Sequence, residues 1–210
     1  RGTQTMTATH LVLLVEEPSM EAFLRALLPR LLPNDRSFEV HPFQGKADLL
    51  GKLQARLRGY AQWLPQDWRI VVVVDRDDDD CEELKERLET MAANARLVTR
   101  SRARTRRWQL VNRIAIEELE AWYFGDWLAV RSAYPRVSPN VPNQAGYRDS
   151  DAIRGGTWEA FERVLQRHGY FKTGLQKVET ARTIGGLLDP ARSRSRSFAM
   201  FRDAIAAAVV

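Results

Sequence analysis

The fold is decided by residues 69–77, which read RIVVVVDRD. The apolar run from Ile70 to Val74 is β-branched and does not alternate with polar residues, so it predicts a strand that is buried on both faces. Such a strand belongs at the centre of a parallel sheet, with Asp75 and Asp77 at its carboxyl end. Ligands of open parallel sheets bind at that end of the strands. This stretch therefore predicts a parallel sheet and the edge of it where a binding site should lie.

Strands and helices alternate on either side of this central strand. Shorter apolar runs predict three more strands, at residues 11–15, 37–43 and 108–116. Apolar residues at helical spacing predict the connecting helices, at residues 20–31, 48–63 and 81–93. This alternation predicts an α/β fold: a mostly parallel sheet with helices on both faces, joined by right-handed connections.

Beyond residue 117 the pattern changes to helices and loops. Apolar spacing predicts helices at residues 117–124, 126–134, 157–167, 175–188 and 198–210, with a basic Ser/Arg stretch at 192–197 before the last. The simplest organisation is an α/β domain over residues 10–125 and a helical C-terminal part over residues 126–210 that packs on it. Aromatic residues at helical spacing predict core packing, with base stacking as the alternative; they are Trp122, Tyr123, Phe124 and Trp127.

Composition limits the class of protein. The chain has 210 residues, 44% hydrophobic and 28% charged, with a net charge of +5, which is ordinary for a folded domain and excludes a disordered chain. No apolar run approaches the ~20 residues that a membrane span requires, and the N-terminus has no long apolar signal region. We therefore expect no membrane association and a cytoplasmic location. The single cysteine, Cys81, agrees with a reducing compartment and cannot by itself form a thiolate metal site.

Acidic residues follow three of the four predicted strands. They are Glu16, Glu17 and Glu21 after the first strand, Asp75 and Asp77 after the third, and Glu117, Glu118 and Glu120 after the fourth. Carboxylates brought together at one edge of a sheet repel one another unless cations bind between them. Because the chain has one cysteine and three histidines, carboxylates would hold any metal, which selects hard ions such as Mg²⁺ or Mn²⁺.

The spacing of these acids predicts the ligands of that metal. An extended backbone after the third strand would point Asp75 and Asp77 the same way, toward a shared ion. The alternative for each group is a helix cap or a negative first helical turn. The candidate metal ligands are Glu16, Glu21, Asp75, Asp77, Glu117 and Glu120.

Charge is unevenly distributed along the chain. Seven acids lie between Asp75 and Glu83, and six arginines lie between Arg96 and Arg107. If cations neutralise the acidic run, the remaining surface is strongly basic, which favours a polyanion such as nucleic acid as partner; a solvated loop is the alternative. Arg76 could face phosphate or pair with a neighbouring aspartate. The candidate nucleic-acid contacts here are Arg76, Arg100, Arg102, Arg104, Arg106 and Arg107.

Two of these segments resemble a known domain. Residues 15–21, VEEPSME, and residues 74–77, VDRD, are similar to the Toprim domain shared by topoisomerases, primases and overcoming-lysogenisation-defect (OLD) nucleases. The resemblance implies a Toprim/Rossmann-like fold in which Glu16 is a metal ligand or general acid/base and Asp75 and Asp77 carry magnesium. Glu21 resembles the second glutamate of the OLD-type version. Toprim sequences usually have Gly after the catalytic Glu, whereas this chain has Glu17.

The same resemblance extends into the helical part. Lys172 and Lys177 resemble the OLD-type lysines that approach the transition state, which implies a catalytic role for Lys172 and a nucleic-acid contact for Lys177. Three more segments are similar to a bacterial Toprim-like family of unknown function: residues 74–81, VDRDDDDC, residues 117–126, EELEAWYFGD, and residues 195–198, SRSF.

Genes of that bacterial family commonly lie beside an AAA- or ABC-type ATPase, and some such pairs are linked to phage defence. The resemblance implies a Mg²⁺- or Mn²⁺-dependent endonuclease that cleaves DNA rather than RNA, as the effector of an ATPase-containing complex in which it could be oligomeric. The alternative is a non-catalytic subunit of that complex that binds metal or nucleic acid. A phosphatase of the haloacid-dehalogenase type fits worst, because its Asp-x-Asp follows the first strand and not the third.

Overall fold

The computed structural model describes residues 7–105 and 107–209. Within these residues, four parallel strands form one sheet in the spatial order β2-β1-β3-β4. The strands are β1 (His10–Val15), β2 (Ser37–Pro42), β3 (Trp68–Asp75) and β4 (Leu110–Ala115). The predicted α/β class and the central place of the 69–77 strand are confirmed.

Helices connect the strands and, with loops between them, follow the last strand. Those between strands are α1 (Pro18–Leu31), α2 (Lys46–Trp63) and α3 (Cys81–Asn94). Those of the C-terminal part are α4 (Glu120–Gly125), α5 (Trp127–Ala133), α6 (Thr157–Arg167), α7 (Lys177–Leu187) and α8 (Arg196–Val209). The predicted helix at 117–124 begins three residues late, because the N–H groups of Ala121 and Trp122 bond back to Glu118 and Leu119 in a tighter turn.

The sheet is covered on both faces by separate apolar cores. Val72 and Val74 of β3 point to one face and pack with α2 and α3. Val71 and Val73 point to the other face and pack with α1 and the C-terminal helices. Alternate residues of one strand therefore reach two different cores, which explains the unbroken apolar run.

The C-terminal helices complete the second of these cores. α7 packs closely along α1, where a Cβ at Gly185 would lie 2.5 Å from the carbonyl oxygen of Phe23. Ser197, in the first turn of α8, accepts a hydrogen bond of 2.9 Å from Trp122 Nε1, and its N–H donates one of 2.7 Å to Asp151 Oδ2. The basic 192–197 stretch thus leads into an ordered helix start that is tied to α4.

None of the helices formed by the described residues combines the length and the apolar character needed to cross a bilayer.

The strand order creates a topological switch point. The chain leaves β1 for β2 on one side and later returns to β3 on the other side of β1. The loops after β1 and β3 therefore lead away in opposite directions, and the carboxyl ends of two such strands are where ligands of open parallel sheets bind.

Candidate functional site

Two acidic side chains flank the switch point between β1 and β3. Glu16 follows β1 directly, and Asp75 is the last residue of β3. Val15 pairs with Val73 in the parallel register, so the acids lie on adjacent strands just beyond this pair. The backbone N–H of Asp75 donates a hydrogen bond of 3.1 Å to Glu16 Oε2, and both side chains are buried. The structure thus brings these two predicted site residues together.

Burial makes the charged forms of this pair costly. It raises the pKa of Glu16 to about 7, against the hydrogen bond from the Asp75 N–H, and the charge of Asp77 adds to the rise. Burial also raises the pKa of Asp75 well above its ordinary value, and the charges of Glu16 and Glu120 raise it further. Oδ1 of Asp75 is buried and has no hydrogen-bond partner among the described residues. A cation would be stabilised beside such an oxygen.

A third buried acid comes from α4. Glu120 is only 3% exposed, and burial raises its pKa to about 8 while the charge of Lys177 opposes the rise. Tyr123 lies one turn further along, and burial, with the charges of Glu120 and Asp75, raises its pKa well above the ordinary value. Its hydroxyl is buried and lacks a hydrogen-bond partner in the part of the chain that is described. We refer to Glu16, Asp75 and Glu120 as the buried acid cluster.

Aromatic packing holds α4 against the rest of the protein. The Trp122 ring lies 5.3 Å from the ring of Phe198 and 5.2 Å from that of Phe201, both on α8. The residues predicted to pack in the core are all buried: Trp122, Tyr123, Phe124 and Trp127. Their core role is confirmed, and it fixes the end of α4 that carries Glu120.

The backbone after β3 is not extended, so that expectation is wrong. Asp77 has a φ of +48°, which places it in the left-handed region and turns the chain directly after Asp75. Lys46 Nζ lies 2.7 Å from Asp77 Oδ2 and 2.8 Å from Asp79 Oδ2, and it donates to the carbonyl oxygen of Arg76 at 2.9 Å. The charge of Asp77 still acts on the buried acid cluster, but its carboxylate faces an ammonium group.

Lys46 is a site residue that the sequence reasoning missed. It is the first residue of α2 and reaches the turn after β3 from the neighbouring strand connection. Burial lowers its pKa, but hydrogen bonds to Asp77 and Asp79 outweigh this and raise it above the ordinary value. Its position just after β2, at the same sheet edge as the acids, was a usable signal.

The acids after β4 are engaged by other groups of the protein. Arg76 Nη2 lies 2.9 Å from Glu117 Oε1, so the arginine pairs with a glutamate and not with an adjacent aspartate. Burial raises the pKa of Glu117, and the charge of Arg76 opposes this. Glu118 Oε2 accepts hydrogen bonds from Thr157 Oγ1 at 3.0 Å and from the Trp158 N–H at 2.9 Å, which fixes the start of α6.

Of the further acids after β1, Glu17 and not Glu21 faces the buried acid cluster. Glu21 Oε1 pairs with Arg25 Nε at 2.8 Å, one turn along α1. The charge of Glu17 raises the pKa of all three members of the cluster, and its carboxylate accepts a hydrogen bond from the Ser19 hydroxyl. Glu17 therefore adds a fourth acid to the surroundings of the cluster.

The two predicted lysines differ in placement. Lys177 Nζ lies 4.4 Å from the centre of the Trp158 ring at the start of α7, and its charge acts on Glu120. Lys172 is exposed in the connection between α6 and α7 and makes no hydrogen bond or ion pair with any described residue. The charge of Lys177 therefore acts on the buried acid cluster, and that of Lys172 does not.

The arginine-rich loop lies at the opposite edge of the sheet. Arg100, Arg102, Arg104 and Arg107 lie between α3 and β4, ahead of the first residue of a parallel strand, and Arg106 falls outside the described residues. The Arg100 N–H bonds to the carbonyl oxygen of Leu110 at the start of β4. A six-residue strand spans about 20 Å, so the loop is about that far from the buried acid cluster.

The donor set suits a hard divalent cation, although it is not preassembled. Within residues 7–105 and 107–209, no three Asp, Glu, His or Cys side chains are already arranged around one ion position. The buried acid cluster nevertheless supplies carboxylates of raised pKa and one oxygen without a donor. Such oxygens are the ligands that Mg²⁺ and Mn²⁺ prefer, and an ion would offset the repulsion among them.

Residues 15–206 match the model of a protein family described as a domain of unknown function (DUF4276). Because the match covers most of the chain, the protein belongs to this family. No curated protein and no solved structure gives a significant match.

Proposed function

We propose that this member of the DUF4276 family is a divalent-metal-dependent nuclease, similar to Toprim nucleases, that hydrolyses phosphodiester bonds of nucleic acid. The observation that carries the proposal is the buried, unpartnered Oδ1 of Asp75, set among acids at the switch point of a parallel sheet. A buried, unpartnered carboxylate oxygen is costly in a purely structural role, and acids with strongly perturbed pKa values are typical of functional sites.

In this proposal Asp75, Glu16 and Glu120 hold Mg²⁺ or Mn²⁺, with Glu17 beside them. When bound, such an ion supplies a Lewis acid that neutralises charge on the phosphodiester and lowers the pKa of a water. Since these side chains are not already gathered around one point, they must change rotamer to share an ion. That movement is inexpensive for a glutamate, which has three rotatable side-chain bonds.

The remaining groups have roles that depend on their own contacts. The raised pKa of Glu16, about 7, belongs to the metal-free site, so Glu16 gives up its proton when it becomes a ligand of the ion. Lys46 pairs with Asp77 and Asp79 and so offsets part of the charge that they add beside the cluster. Lys177, beside Glu120, is placed to face a phosphate group.

The experiment compares cleavage of supercoiled plasmid, single-stranded DNA and single-stranded RNA in Mg²⁺, Mn²⁺ and EDTA. Asp75→Asn and Glu16→Gln keep the shape of each side chain and remove one charge. Glu83→Gln is the matched control, because this exposed acid lies in the same acidic run but on the first turn of α3. We expect metal-dependent cleavage that falls by at least ~100-fold in both site variants and is unchanged in the control. Cleavage that persists in EDTA, or in Asp75→Asn, would refute the proposal.

The proposal includes a partner. By the family resemblance, the chain would act as the cytoplasmic effector subunit of a phage-defence complex with an AAA- or ABC-type ATPase, with DNA favoured over RNA as substrate. Co-expression with an ATPase encoded beside the gene, followed by co-purification and a cleavage assay with ATP, tests this part separately.

One observation favours the alternative, a non-catalytic subunit that binds metal or nucleic acid. Lys46 and Arg76 already pair with Asp77 and Glu117, so the protein neutralises part of the acidic edge without a metal. If Mg²⁺ raises the melting temperature of the wild type but not of Asp75→Asn, and no cleavage occurs with or without the ATPase, this alternative is correct.

A further inference from the structure

A cavity in the helical C-terminal part is lined by three arginines. It has a volume of about 400 Å³ and lies between the 145–154 segment and α6. Arg148, Arg154 and Arg163 line it together with the apolar side chains of Ile153 and Ala160. None of these arginines belongs to the predicted arginine-rich loop or to the surroundings of the buried acid cluster.

The guanidinium groups of this arginine pocket are not neutralised by the protein. The guanidinium groups of Arg154 and Arg163 make no hydrogen bond or ion pair with any residue in the described ranges. Arg148 donates from Nε to the Asn143 carbonyl oxygen at 3.0 Å, which leaves its two terminal nitrogens available. The one acid that lines the cavity, Asp149, already accepts a hydrogen bond of 3.0 Å from the Asp151 N–H through Oδ1.

Asp151, which lies between Asp149 and Arg154 in the sequence, is also engaged. Asp151 accepts hydrogen bonds from the Ser195 hydroxyl and the Ser197 N–H, both at 2.7 Å, and so serves the start of α8. Three like charges around one cavity, with one carboxylate to offset them, favour an anion in it. Planar guanidinium groups match the oxygens of a phosphate in pairs, which a single lysine cannot do.

We propose that the arginine pocket binds phosphate groups of a nucleic-acid strand. Its position relative to the buried acid cluster supports a strand and not an isolated phosphate ester. Tyr147, which lines the pocket, stacks on Phe124 with ring centres 5.3 Å apart and planes 7° apart. Phe124 lies one turn, about 6 Å along the axis, after Glu120 on α4, so the pocket and the buried acid cluster adjoin the same short helix. The inference rests on the proposed function in one respect, since the bound strand is the one presented to the acids.

The test measures binding without cleavage. A short fluorescein-labelled oligothymidylate is titrated with the full chain in EDTA, over a KCl series, and its anisotropy is recorded. The double variant Arg154→Gln/Arg163→Gln removes two exposed charges from the pocket, and Arg58→Gln with Arg87→Gln removes two exposed charges from α2 and α3. Circular dichroism confirms that the variants are folded.

We expect the pocket variant to raise Kd on the order of tenfold and to reduce the slope of log Kd against log salt by about 1.4, at ~0.7 for each lost contact with a single strand. The control pair, Arg58→Gln with Arg87→Gln, should change Kd and the salt slope by less than half of these amounts. Equal effects of the two pairs, or no binding of the oligonucleotide by the wild type, would overturn the proposal.

A second measurement separates a strand from a free phosphate. Inorganic phosphate is compared with chloride at equal ionic strength in thermal unfolding. If phosphate raises the melting temperature only when Arg154 and Arg163 are present, yet oligonucleotide binding does not depend on them, the pocket serves a small phosphate ester and the assignment to a strand is wrong. Because Asp75→Asn should bind the oligonucleotide like the wild type in EDTA, failure of the nuclease proposal leaves this result intact.

Discussion

Two adjacent glycines in α7 should respond in opposite directions to the same substitution. At Gly185 an added Cβ would lie 2.5 Å from the carbonyl oxygen of Phe23 and 3.1 Å from its Cα, both of them backbone atoms of α1. At Gly186 the added Cβ meets no described atom within 4 Å beyond its chain neighbours and the adjacent backbone of its own helix. Both positions are inside one helix, so alanine brings the same gain in helix propensity, about 1 kcal/mol, to each. The difference between the two variants therefore isolates the cost of moving α7 away from α1.

The size of the change in the free energy of unfolding follows from the distances around each added Cβ. Cβ atoms are not found closer than 3.0 Å to such neighbours, so α7 must move by at least 0.5 Å at Gly185. Overpacking that shifts backbone costs about 1–3 kcal/mol, and we expect the upper part of that range because neither clashing atom can rotate away. Gly185→Ala should then lose about 1–2 kcal/mol net. Gly186→Ala should gain about 0.5–1 kcal/mol.

Thermal unfolding followed by circular dichroism, with both variants at one pH and in EDTA, measures the effect. For a chain of this length, we expect Gly185→Ala to lower the melting temperature by about 2–8 °C and Gly186→Ala to raise it by about 1–4 °C. Urea unfolding supplies the free energies independently. If both variants melt at the same temperature, the close contact between α1 and α7 is not present in solution and the reasoning fails.

Three further predictions concern ionised side chains. Arg192 pairs with the buried Asp126 at 2.6 and 2.8 Å, so Arg192→Ala should lower the free energy of unfolding by about 2–4 kcal/mol. Arg182 forms an exposed ion pair with Glu179, so Arg182→Ala should change that free energy by less than ~0.5 kcal/mol. Urea unfolding compares the two variants. Although burial raises the pKa of Glu89, hydrogen bonds from Ser101, Thr99 and Asn112 lower it below the ordinary value. The stability that the Glu89 charge contributes is therefore complete above pH 4.5 and is lost as the pH falls further. The difference in melting temperature between wild type and Glu89→Gln should shrink between pH 6 and pH 3.5, and a constant difference would contradict this. Because burial raises the pKa of Asp75, its charge destabilises the metal-free protein, so Asp75→Asn should raise the melting temperature in EDTA, more at pH 8 than at pH 5, and should abolish any rise caused by Mg²⁺.

The fold could be predicted from local patterns because each element carries its own signal. The run from Ile70 to Val74 cannot be amphipathic, and the cores on both faces of the sheet explain why. Helices with an apolar stripe could be predicted equally well, and α6 spans the expected range of residues 157–167.

The site could be predicted only where strand order alone decides the position. Glu16 and Asp75 follow adjacent strands, so their approach needed no knowledge of side-chain contacts. The direction of the Asp77 side chain depends on Lys46, which reaches it from α2. It also depends on the left-handed backbone of Asp77, which no local sequence pattern indicates. The arginine-rich loop is different, because a segment that enters a parallel strand always lies at the amino edge. Strand order alone would have separated it from the acids.

The tie between Ser197 and Trp122 has a consequence for how the protein is made. The start of α4, which carries Glu120, is held to the first turn of α8 by the hydrogen bond from Trp122 to Ser197. Along the chain, 77 residues separate Glu120 from Ser197. At about 5–20 residues per second, a ribosome needs about 4–15 s to add them. During that interval the nascent sheet has its central strands but lacks the helix that covers Trp122. A newly synthesised chain therefore passes through a stage with an exposed apolar face, and the end of α4 that carries Glu120 is supported only after α8 has been made.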